Sequence, residues 1–342
     1  AAGATAVGNL GQYFSFRLPG WDDDVASTTA TVTALSLLAH QEAEVLVHSN
    51  LDDGFASMFD DLASVLGLAM VEKYIVEDLL GARLSHCWGH HFSDPLRRFA
   101  FHLALSEVNG TPGTMIYGNT VSYQGSTAEN FASQASYLGT DIAGQMLRPS
   151  GHAINPVPVS ENSRIPDIDE IIDVQLFAAR LGSRMAANVA MIDMAVPEEI
   201  AGQLVVGAEG FKARLMAGFA GAGIRTGDAV EMLLTLRRLG GSRLNRMFGA
   251  PAAVVPSPQS EEIAEMARVH FARVGAAHRE VFAAGRPRLM VATSDVHEHA
   301  KRVLDEVLVE LGAEVLDGGV SVDAGVLAVT ALEQGADAIL LS

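Results

Sequence analysis

The residues best suited to metal chemistry lie near the carboxyl end of the chain, in the run Asp295-Val296-His297-Glu298-His299-Ala300. A neutral imidazole can bind a metal ion through one ring nitrogen while a carboxylate holds its other N–H. Asp295 stands two residues before His297 on the same predicted loop and can supply that carboxylate. His299 is a weaker rival because no acidic residue precedes it at that spacing. The alternative is that Asp295 and His297 are ordinary loop residues of an α/β domain.

A second set of ionisable and hydrogen-bonding residues follows short apolar segments in the first half of the chain. If those segments are parallel strands, their carboxyl ends form one rim, where such folds carry active sites. Histidines there can bind a substrate or move a proton, although loops at strand ends are also polar without any function. The candidate catalytic residues are His48, Asn50, His86, His90, His91, Arg98, Asn119 and His152, with Arg17, Asp52, Asp53, Tyr117 and Asn155 beside them.

The elements that would position this second set show a βα alternation from Gln12 to about Pro158. Apolar segments such as 45–50 (VLVHSN) alternate with stretches whose apolar residues recur at helical spacing. This rhythm suits a parallel barrel or an open doubly wound sheet, and we predict a (β/α) TIM-type barrel portion. Residues 168–249 predict helices, although each internal glycine costs about 1 kcal/mol relative to alanine.

The last segment predicts the order strand, helix, strand, helix, strand, beginning at the apolar run 289–293. This order is typical of a flavodoxin-like (Rossmann-type) sheet, whose ligand lies outside the carboxyl ends of the strands. Prolines and serines in 248–260 indicate a linker, and one helix from Glu261 to about Ala284 is expected after it. The predicted division is a barrel-like domain with a helical end over 1–250, a linker and helix over 251–285, and the last domain over 286–342.

The last segment resembles the cobalamin-binding domain family with the signature Asp-x-His-x-x-Gly. By this resemblance His297 is the lower axial ligand of cobalt and Asp295 orients it, while Ala300 replaces the final glycine of the signature. Two further positions match, namely the glycines after the second strand and a terminal serine beside the displaced dimethylbenzimidazole. The cofactor-binding residues that the resemblance implies are Ser294, Asp295, His297, Ala300, Gly318, Gly319 and Ser342, with Arg148 from the first half of the chain.

The first half is similar to the catalytic barrel subunit of glutamate mutase (methylaspartate mutase), in patches at 45–50, 87–105 and 135–181. In that family arginines and a carboxylate grip the substrate glutamate, and adenosylcobalamin supplies a radical that moves a carbon fragment. Here Asn50 replaces the expected carboxylate and His152 replaces a glutamate expected near the adenosyl ribose, which puts glutamate itself in doubt. The possible carboxylate anchors are Arg17, Arg97, Arg98 and Arg148, although Arg97 and Arg98 also suit solvated helix positions.

The function that these resemblances imply is an adenosylcobalamin-dependent radical isomerase acting on a small carboxylic acid, amino acid or acyl substrate. A methylcobalamin-dependent methyltransferase or corrinoid carrier is an alternative, as is a cobalamin sensor without enzymatic activity. The barrel-like rhythm and polar rim argue against the sensor. An aminomutase that also uses pyridoxal phosphate is disfavoured, because none of the three lysines, Lys73, Lys212 and Lys301, lies in an evident Schiff-base setting.

Composition restricts the partners. The 342 residues carry a formal net charge of −18, which repels nucleic acid and anionic membranes. A single cysteine, Cys87, excludes an internal disulfide, and the sequence contains no apolar run of membrane-spanning length. We therefore expect a cytoplasmic protein with a small-molecule substrate. The resemblance implies a homo-oligomer or hetero-oligomer, and both domains look shortened, so another segment or subunit is expected to complete them.

Overall fold

The computed structural model describes residues 6–9 (backbone alone), 23–52, 58–92, 94–294, 298–320 and 322–342. These residues form an α/β protein with two parallel sheets. They group into two compact units that divide between Pro258 and Gln259. We call the larger one unit 1 and the smaller, carboxy-terminal one unit 2. None of the helices that the structure describes has the length and apolar composition needed to cross a lipid bilayer.

Unit 1 contains a five-stranded parallel sheet whose strands neighbour each other in chain order. The strands are β1 (Ala6–Asn9), β2 (Val45–Asn50), β3 (Arg83–Trp88), β4 (Met115–Tyr117) and β5 (Ala153–Asn155). The helices between them are α1 (Asp24–Ala39), α2 (Leu62–Lys73, continued by a π-helix Tyr74–Leu79), α3 (Pro95–Val108) and α4 (Thr127–Leu147). The predicted alternation of strands and helices is confirmed from Val45 to Asn155, and residues 12–22, where the predicted alternation begins, lie outside the described residues.

Four more helices complete unit 1: α5 (Ile168–Val189), α6 (Ala195–Gly221), α7 (Ala229–Leu239) and α8 (Gly241–Phe248). Helix α6 continues through five glycines because it packs closely on α2, which overrides their weak helix propensity. A Cβ atom at Gly67 of α2 would lie only 2.7 Å from the Cβ of Phe211 on α6. Nearly every residue of α2 is buried, so this helix forms the centre of the unit 1 core.

The predicted linker segment packs against unit 1 over residues 254–257. Val255 is buried, and its N–H donates to the carboxylate of Asp61 at 3.1 Å. Asp61 also caps α2 by accepting from the N–H of Ala63. The single helix expected over 261–284 is interrupted: α9 (Pro258–Arg273) ends before Gly275, and α10 (Ala276–Gly285) begins after it. Glycine in a non-helical conformation accounts for the break.

Unit 2 has the predicted order of elements after α9 and α10. They are β6 (Arg288–Thr293), α11 (His299–Glu310), β7 (Glu314–Val320), α12 (Ala324–Gln334) and β8 (Ala338–Leu341). The three strands are parallel, and the first of them, β6, lies between β7 and β8. From the central strand β6, the chain continues to β7 on one side of it and then crosses to β8 on the other side. This change of direction in the strand order is a topological switch point.

Candidate functional site

Hydrogen bonds join the loops that follow β2 and β3. The carboxylate of Asp52 accepts from the backbone N–H groups of His90 and His91 at 3.1 and 3.2 Å. Asp52 is fully buried, so a carboxylate that receives two backbone donors fixes the position of the histidine loop. Gly89 turns the chain into this loop with a φ of 127°, a conformation that side chains rarely allow.

A third strand end is tied to the same loop. Nδ1 of His90 lies 2.8 Å from Oγ1 of Thr120, which follows β4, and the His90 and His91 rings meet edge to face at 4.7 Å between centroids. Asn119 beside Thr120 is buried. We call Asp52, His90, His91, Asn119 and Thr120 the rim cluster. The structure thus brings together three of the predicted catalytic residues, His90, His91 and Asn119, at the carboxyl ends of neighbouring strands.

His48 lies on β2 on the sheet face opposite to α2. Its neighbours Val47 and Ser49 point to the helices, and side chains alternate along a strand. The hydroxyl of Thr114 donates to the carbonyl of His86, so its oxygen accepts from Nδ1 of His48 at 2.9 Å. Burial lowers the pKa of His48, and the neighbouring His86 lowers it further. The neutral ring therefore keeps its hydrogen on Nδ1 and has its lone pair on Nε2, which can accept a proton.

Asn50 ends β2 on the same face as His48. Its side-chain oxygen accepts from the N–H of Asp52 at 3.1 Å, and this contact starts the turn that leads to the rim cluster. Asn50 pairs with Cys87, Cys87 with Met115, and Met115 with Ala153 across the sheet. Asn50 therefore occupies the sheet level at which β4 and β5 begin.

His86 faces the opposite way, into the layer between the sheet and the helices. Its Nε2 lies 3.2 Å from one oxygen of the buried Glu72 on α2, and the other oxygen accepts from the hydroxyl of Ser49. The side-chain nitrogen of Asn109 also donates to the carbonyl of Leu84, while its oxygen accepts from a backbone N–H. Asn109 must therefore donate to Nδ1 of His86, at 3.0 Å, which leaves the ring hydrogen on Nε2.

His152 precedes β5 and lies near His86, beside a small cavity with room for about one water molecule. Its Nδ1 lies 2.7 Å from the hydroxyl of Ser150, and its Nε2 is buried without a hydrogen bond of normal geometry in the described residues. Burial lowers the pKa of His152 to about 3, with smaller effects in the same direction from His102 and His86. The His152 ring occupies the space that a side chain at Gly113 would need.

Arg98 on α3 is fully buried and faces no solvent. Its guanidinium donates to the carboxylate of Asp141 on α4 and to the backbone carbonyls of Gly89, Phe92 and Tyr117. These contacts use the five N–H donors of an arginine, so none is left for a substrate carboxylate. Arg98 instead holds the ends of β3 and β4 against α3 and α4. The interpretation of Arg98 as a solvated helix residue is wrong, because its side chain is fully buried.

Two of the other candidate arginines, Arg97 and Arg148, form contacts within the protein. Arg97 donates to the carbonyl of Pro256 at 2.8 Å. Arg148 follows α4, on the side where β5 begins, and its exposed side chain lies 3.3 Å from Glu198. Arg17 and Asp53 lie outside the described residues. Tyr117 and Asn155 face each other at the ends of β4 and β5.

Three acidic or amide residues of this site are absent from the sequence-based candidates: Glu72, Asn109 and Asp141. Each is buried and forms hydrogen bonds to a predicted residue. For Glu72 a signal exists, because a single carboxylate inside the apolar helix sequence LASVLGLAMVEK must find a buried partner. For Asp141 the partner is 43 residues away, and nothing local indicates it.

In unit 2 the carboxyl ends of the three strands carry the predicted cofactor-binding residues. At the end of β6, the hydroxyl of Thr293 donates to the carbonyl of Ser342, whose N–H donates to the carbonyl of Ala292 at 3.0 Å. Ser294 is exposed directly after β6, and Ala300 is exposed in the first turn of α11. Asp295 and His297 lie outside the described residues, so the structure describes both sides of the predicted metal-binding loop but not the loop itself.

The two glycines of β7 have different structural roles. Gly319 has a φ of 89°, which favours glycine, and its N–H donates to Asp317 at 3.0 Å. A Cβ at Gly318 would lie 2.8 Å from the Cβ of Ala292 and 3.0 Å from Leu327. Gly318 is thus required by the packing of α12 on the sheet, whereas Gly319 shapes the turn at the strand end.

A buried lysine holds this strand end to α11. Nζ of Lys301 lies 2.9 Å from Asp305 and 3.2 Å from Asp317, and the lysine is almost fully buried. The charges of the two aspartates raise the pKa of Lys301 although burial acts in the opposite direction. The ion pairs therefore fix the strand end that carries Gly319 relative to the start of α11.

Among the described residues, no group of three or more histidine, cysteine, aspartate or glutamate side chains is arranged to hold a metal ion. No protein-family model matches the chain, and no curated protein shows significant similarity to it. The geometry offers two places for chemistry, the rim cluster with His48 in unit 1 and the strand ends of unit 2.

Proposed function

We propose that the chain is an adenosylcobalamin-dependent radical isomerase, similar to glutamate mutase, that acts on a small carboxylic acid, amino acid or acyl substrate. The observation that carries the proposal is the strand order of unit 2, in which β6 lies between β7 and β8. The loop with Asp295 and His297 follows the central strand directly. In open parallel sheets, ligands bind outside the carboxyl ends of the strands at such a switch point.

Our proposal includes the finer fold of both units. The sequential order of β1 to β5, with a helix after β2, β3 and β4, suits the first part of a (β/α) barrel. The βαβαβ order of unit 2 suits a flavodoxin-like domain. A barrel-type active site would then use the carboxyl ends of the strands, which is where Asp52, His90 and Thr120 are joined.

The residues of unit 2 fit a cobalamin on chemical grounds. His297 would bind cobalt, with Asp295 holding its second nitrogen, and the hydroxyl of the exposed Ser294 together with Gly319 and Ser342 would surround the nucleotide tail. The positive φ of Gly319 favours glycine, so the backbone at the carboxyl end of β7 carries no side chain there and a ligand can approach it closely. When bound, adenosylcobalamin supplies a carbon radical that removes a hydrogen atom from the substrate.

Unit 1 would bind and orient the substrate. Nε2 of His48 is a hydrogen-bond acceptor and can take up a proton, since Thr114 fixes the hydrogen on Nδ1. The imidazoles of His90 and His91 offer further polar contacts in a loop held by Asp52. Arg98 cannot hold a substrate carboxylate, because Asp141 and three carbonyls take its donors. The other candidate anchors for an acidic substrate are Arg97, Arg148 and Arg17, of which Arg17 lies outside the described residues.

The test is a titration of the full chain with adenosylcobalamin, followed by ultraviolet–visible and electron paramagnetic resonance spectroscopy of the cobalt(II) form. We expect nitrogen superhyperfine splitting in the wild type and its loss in His297→Ala. His299→Ala, two residues away, is the matched control and should keep the splitting. Failure to bind, or an unchanged spectrum in His297→Ala, would contradict the proposal, whereas clear preference for methylcobalamin would favour a methyl carrier.

A further inference from the structure

Helix α5 exposes a row of large apolar side chains. The exposed fractions of Ile168, Ile172 and Leu176 are 73%, 51% and 50%. These residues recur every four positions, so they lie on one side of the helix. The opposite side, with Val174 and Met185, is buried in unit 1. Isolated surface apolar residues are ordinary, but a contiguous row on one helix face indicates a surface that another molecule covers.

The second half of α5 continues the same face with small side chains. Ala179, Ser183 and Ala186 follow Leu176 at spacings of three and four residues and are exposed. The face therefore has a ridge of large residues in its first half and a hollow in its second half. We call this face, from Ile168 to Ala186, the α5 stripe. Its shape is complementary to itself when two copies run in opposite directions.

Charged residues along one edge of the α5 stripe follow the same division. Asp169 and Asp173 flank the ridge, and Arg180 and Arg184 flank the hollow. All four are exposed, and none of them makes an ion pair within the part of the chain that the structure describes. The neighbouring Glu170, in contrast, is paired with Arg164 at 2.8 Å. The edge thus carries unpaired negative charge at one end and unpaired positive charge at the other.

We propose that the α5 stripe binds the α5 stripe of a second copy of this chain in antiparallel orientation about a twofold axis. With the axis near residues 176–178, Asp169 and Asp173 face Arg184 and Arg180 of the second copy. The same axis sets Leu176 opposite Ala179, Ile172 opposite Ser183 and Ile168 opposite Ala186. Each contact occurs twice, as in every isologous interface, so the pair of helices contains four ion pairs and six ridge-to-hollow contacts.

Charge selects this arrangement over others. In an antiparallel pair of helices, equivalent edges face each other, so acidic and basic halves meet. In a parallel pair, the charged edge would face the opposite edge of the partner helix, which carries Ile171 and Gln175, so none of the four charges would meet an opposite charge. With a net charge of −18, two copies repel each other in general, and a local pattern of opposite charges is needed to fix the orientation.

The size of the stripe limits the strength of the contact. A helix of 22 residues is about 33 Å long, and one helix pair buries less than the roughly 1,600 Å² of a standard interface. We therefore expect a dimer that dissociates on dilution and weakens as salt rises, because exposed ion pairs are screened. These expectations do not depend on cobalamin, so this proposal and the proposed function fail separately.

The test is sedimentation velocity of the full chain over a hundredfold concentration range. The wild type should dimerise, and Leu176→Glu should weaken dimerisation by at least about tenfold, because it places a charge in the centre of the apolar contact. Val206→Glu is the matched control, since Val206 on α6 is 71% exposed and lies outside the stripe. Circular dichroism and thermal unfolding of each variant verify the fold.

Charge exchange tests the orientation. Asp169→Arg with Asp173→Arg makes the whole edge basic and should weaken dimerisation by about tenfold or more, as four ion pairs become four repulsions. Adding Arg180→Asp and Arg184→Asp to the same chain should restore it. The proposal would be overturned if the wild type stays monomeric or if Leu176→Glu leaves dimerisation unchanged. It would also be overturned if the variant with all four charges exchanged folds but still dimerises weakly.

Discussion

The carboxylate of Asp141 accepts two hydrogen bonds from Arg98, at 2.6 Å from Nε and 2.7 Å from a terminal nitrogen. Both residues are buried, and the guanidinium lies over the rings of Trp88 and Tyr137 at 5.4 and 5.2 Å. Burial lowers the pKa of Arg98, but the charge and hydrogen bonds of Asp141 outweigh this effect and raise it. The pair links α3, α4 and the ends of β3 and β4, next to the histidine loop.

Leaving one charge of this pair without its partner should lower the free energy of unfolding. Asp141→Asn leaves the Arg98 charge buried without its counter-ion, so we expect a loss of about 3–5 kcal/mol in the free energy of unfolding. Arg98→Met with Asp141→Leu removes both charges and should cost less than Arg98→Met alone, which loses the same bonds to the carbonyls of Gly89, Phe92 and Tyr117 and also leaves Asp141 without its counter-ion. Urea denaturation of Asp141→Asn, Arg98→Met and the double variant gives the comparison. A loss below about 1 kcal/mol in Asp141→Asn would show that the pair is not the anchor described here.

Stability should fall on mild acidification, with His152 as one cause. Its pKa is lowered to about 3 in the folded chain, against about 6.5 for an unfolded histidine. Between these values the unfolded state binds a proton that the folded state does not, so the free energy of unfolding rises with pH. Going from about pH 7 to about pH 5, His152 alone should remove about 2 kcal/mol. Burial also lowers the pKa of His48 and His102, which adds to the effect.

The variant His152→Gln isolates this contribution. It should unfold with a shallower pH dependence than the wild type, whatever its stability at neutral pH. The exposed His278→Gln is the control for removal of a histidine. Urea denaturation at several pH values between about 5 and about 8 measures the slope. Parallel pH profiles for wild type and His152→Gln would mean that His152 is protonated as easily in the folded chain as in the unfolded one.

His48 and His86 should carry their ring hydrogens on different nitrogens. The contacts of Thr114 assign Nδ1–H to His48, and those of Asn109 assign Nε2–H to His86. Two-bond proton–nitrogen correlation spectra of labelled histidines distinguish the two tautomers above neutral pH. In Thr114→Val, His48 should lose its fixed tautomer while His86 keeps its own. Nε2–H on His48 in the wild type would remove it as a proton acceptor on this face.

The sequence predicts local elements well where one face is strongly apolar. In unit 2, β6 and α11 follow from runs such as Leu289–Thr293, because periodicity reflects burial. Unit 1 is harder, because β4 and β5 have only three residues each and their register depends on neighbouring strands. His90 and His91 follow the end of β3, where the alternation of apolar and polar segments places them.

The sequence does not show on which face of the sheet a side chain lies, or which residues far apart in the chain contact each other. His48 and His86 look alike in the sequence, yet one lies on the face opposite to α2 and the other is buried against Glu72. A one-residue difference in register reverses these directions, and short strands do not specify register by themselves. Arg98 is interpreted as a solvated or substrate-binding residue only as long as Asp141, 43 positions away, is not known to contact it.

Gly318 of β7 is explained by packing in unit 2, whereas the proposed cobalamin site would explain it by contact with the cofactor, and a variant distinguishes these two roles. Gly318→Ala should lower the free energy of unfolding by about 1–3 kcal/mol, since its Cβ would overlap Ala292, Leu327 and Met290 in the core of unit 2. Gly285→Ala is the matched control, because no atom lies within 4 Å of the added Cβ. Thermal unfolding without cofactor measures both. If Gly318→Ala is as stable as Gly285→Ala but binds cobalamin more weakly, then Gly318 contacts the cofactor and its packing role is wrong.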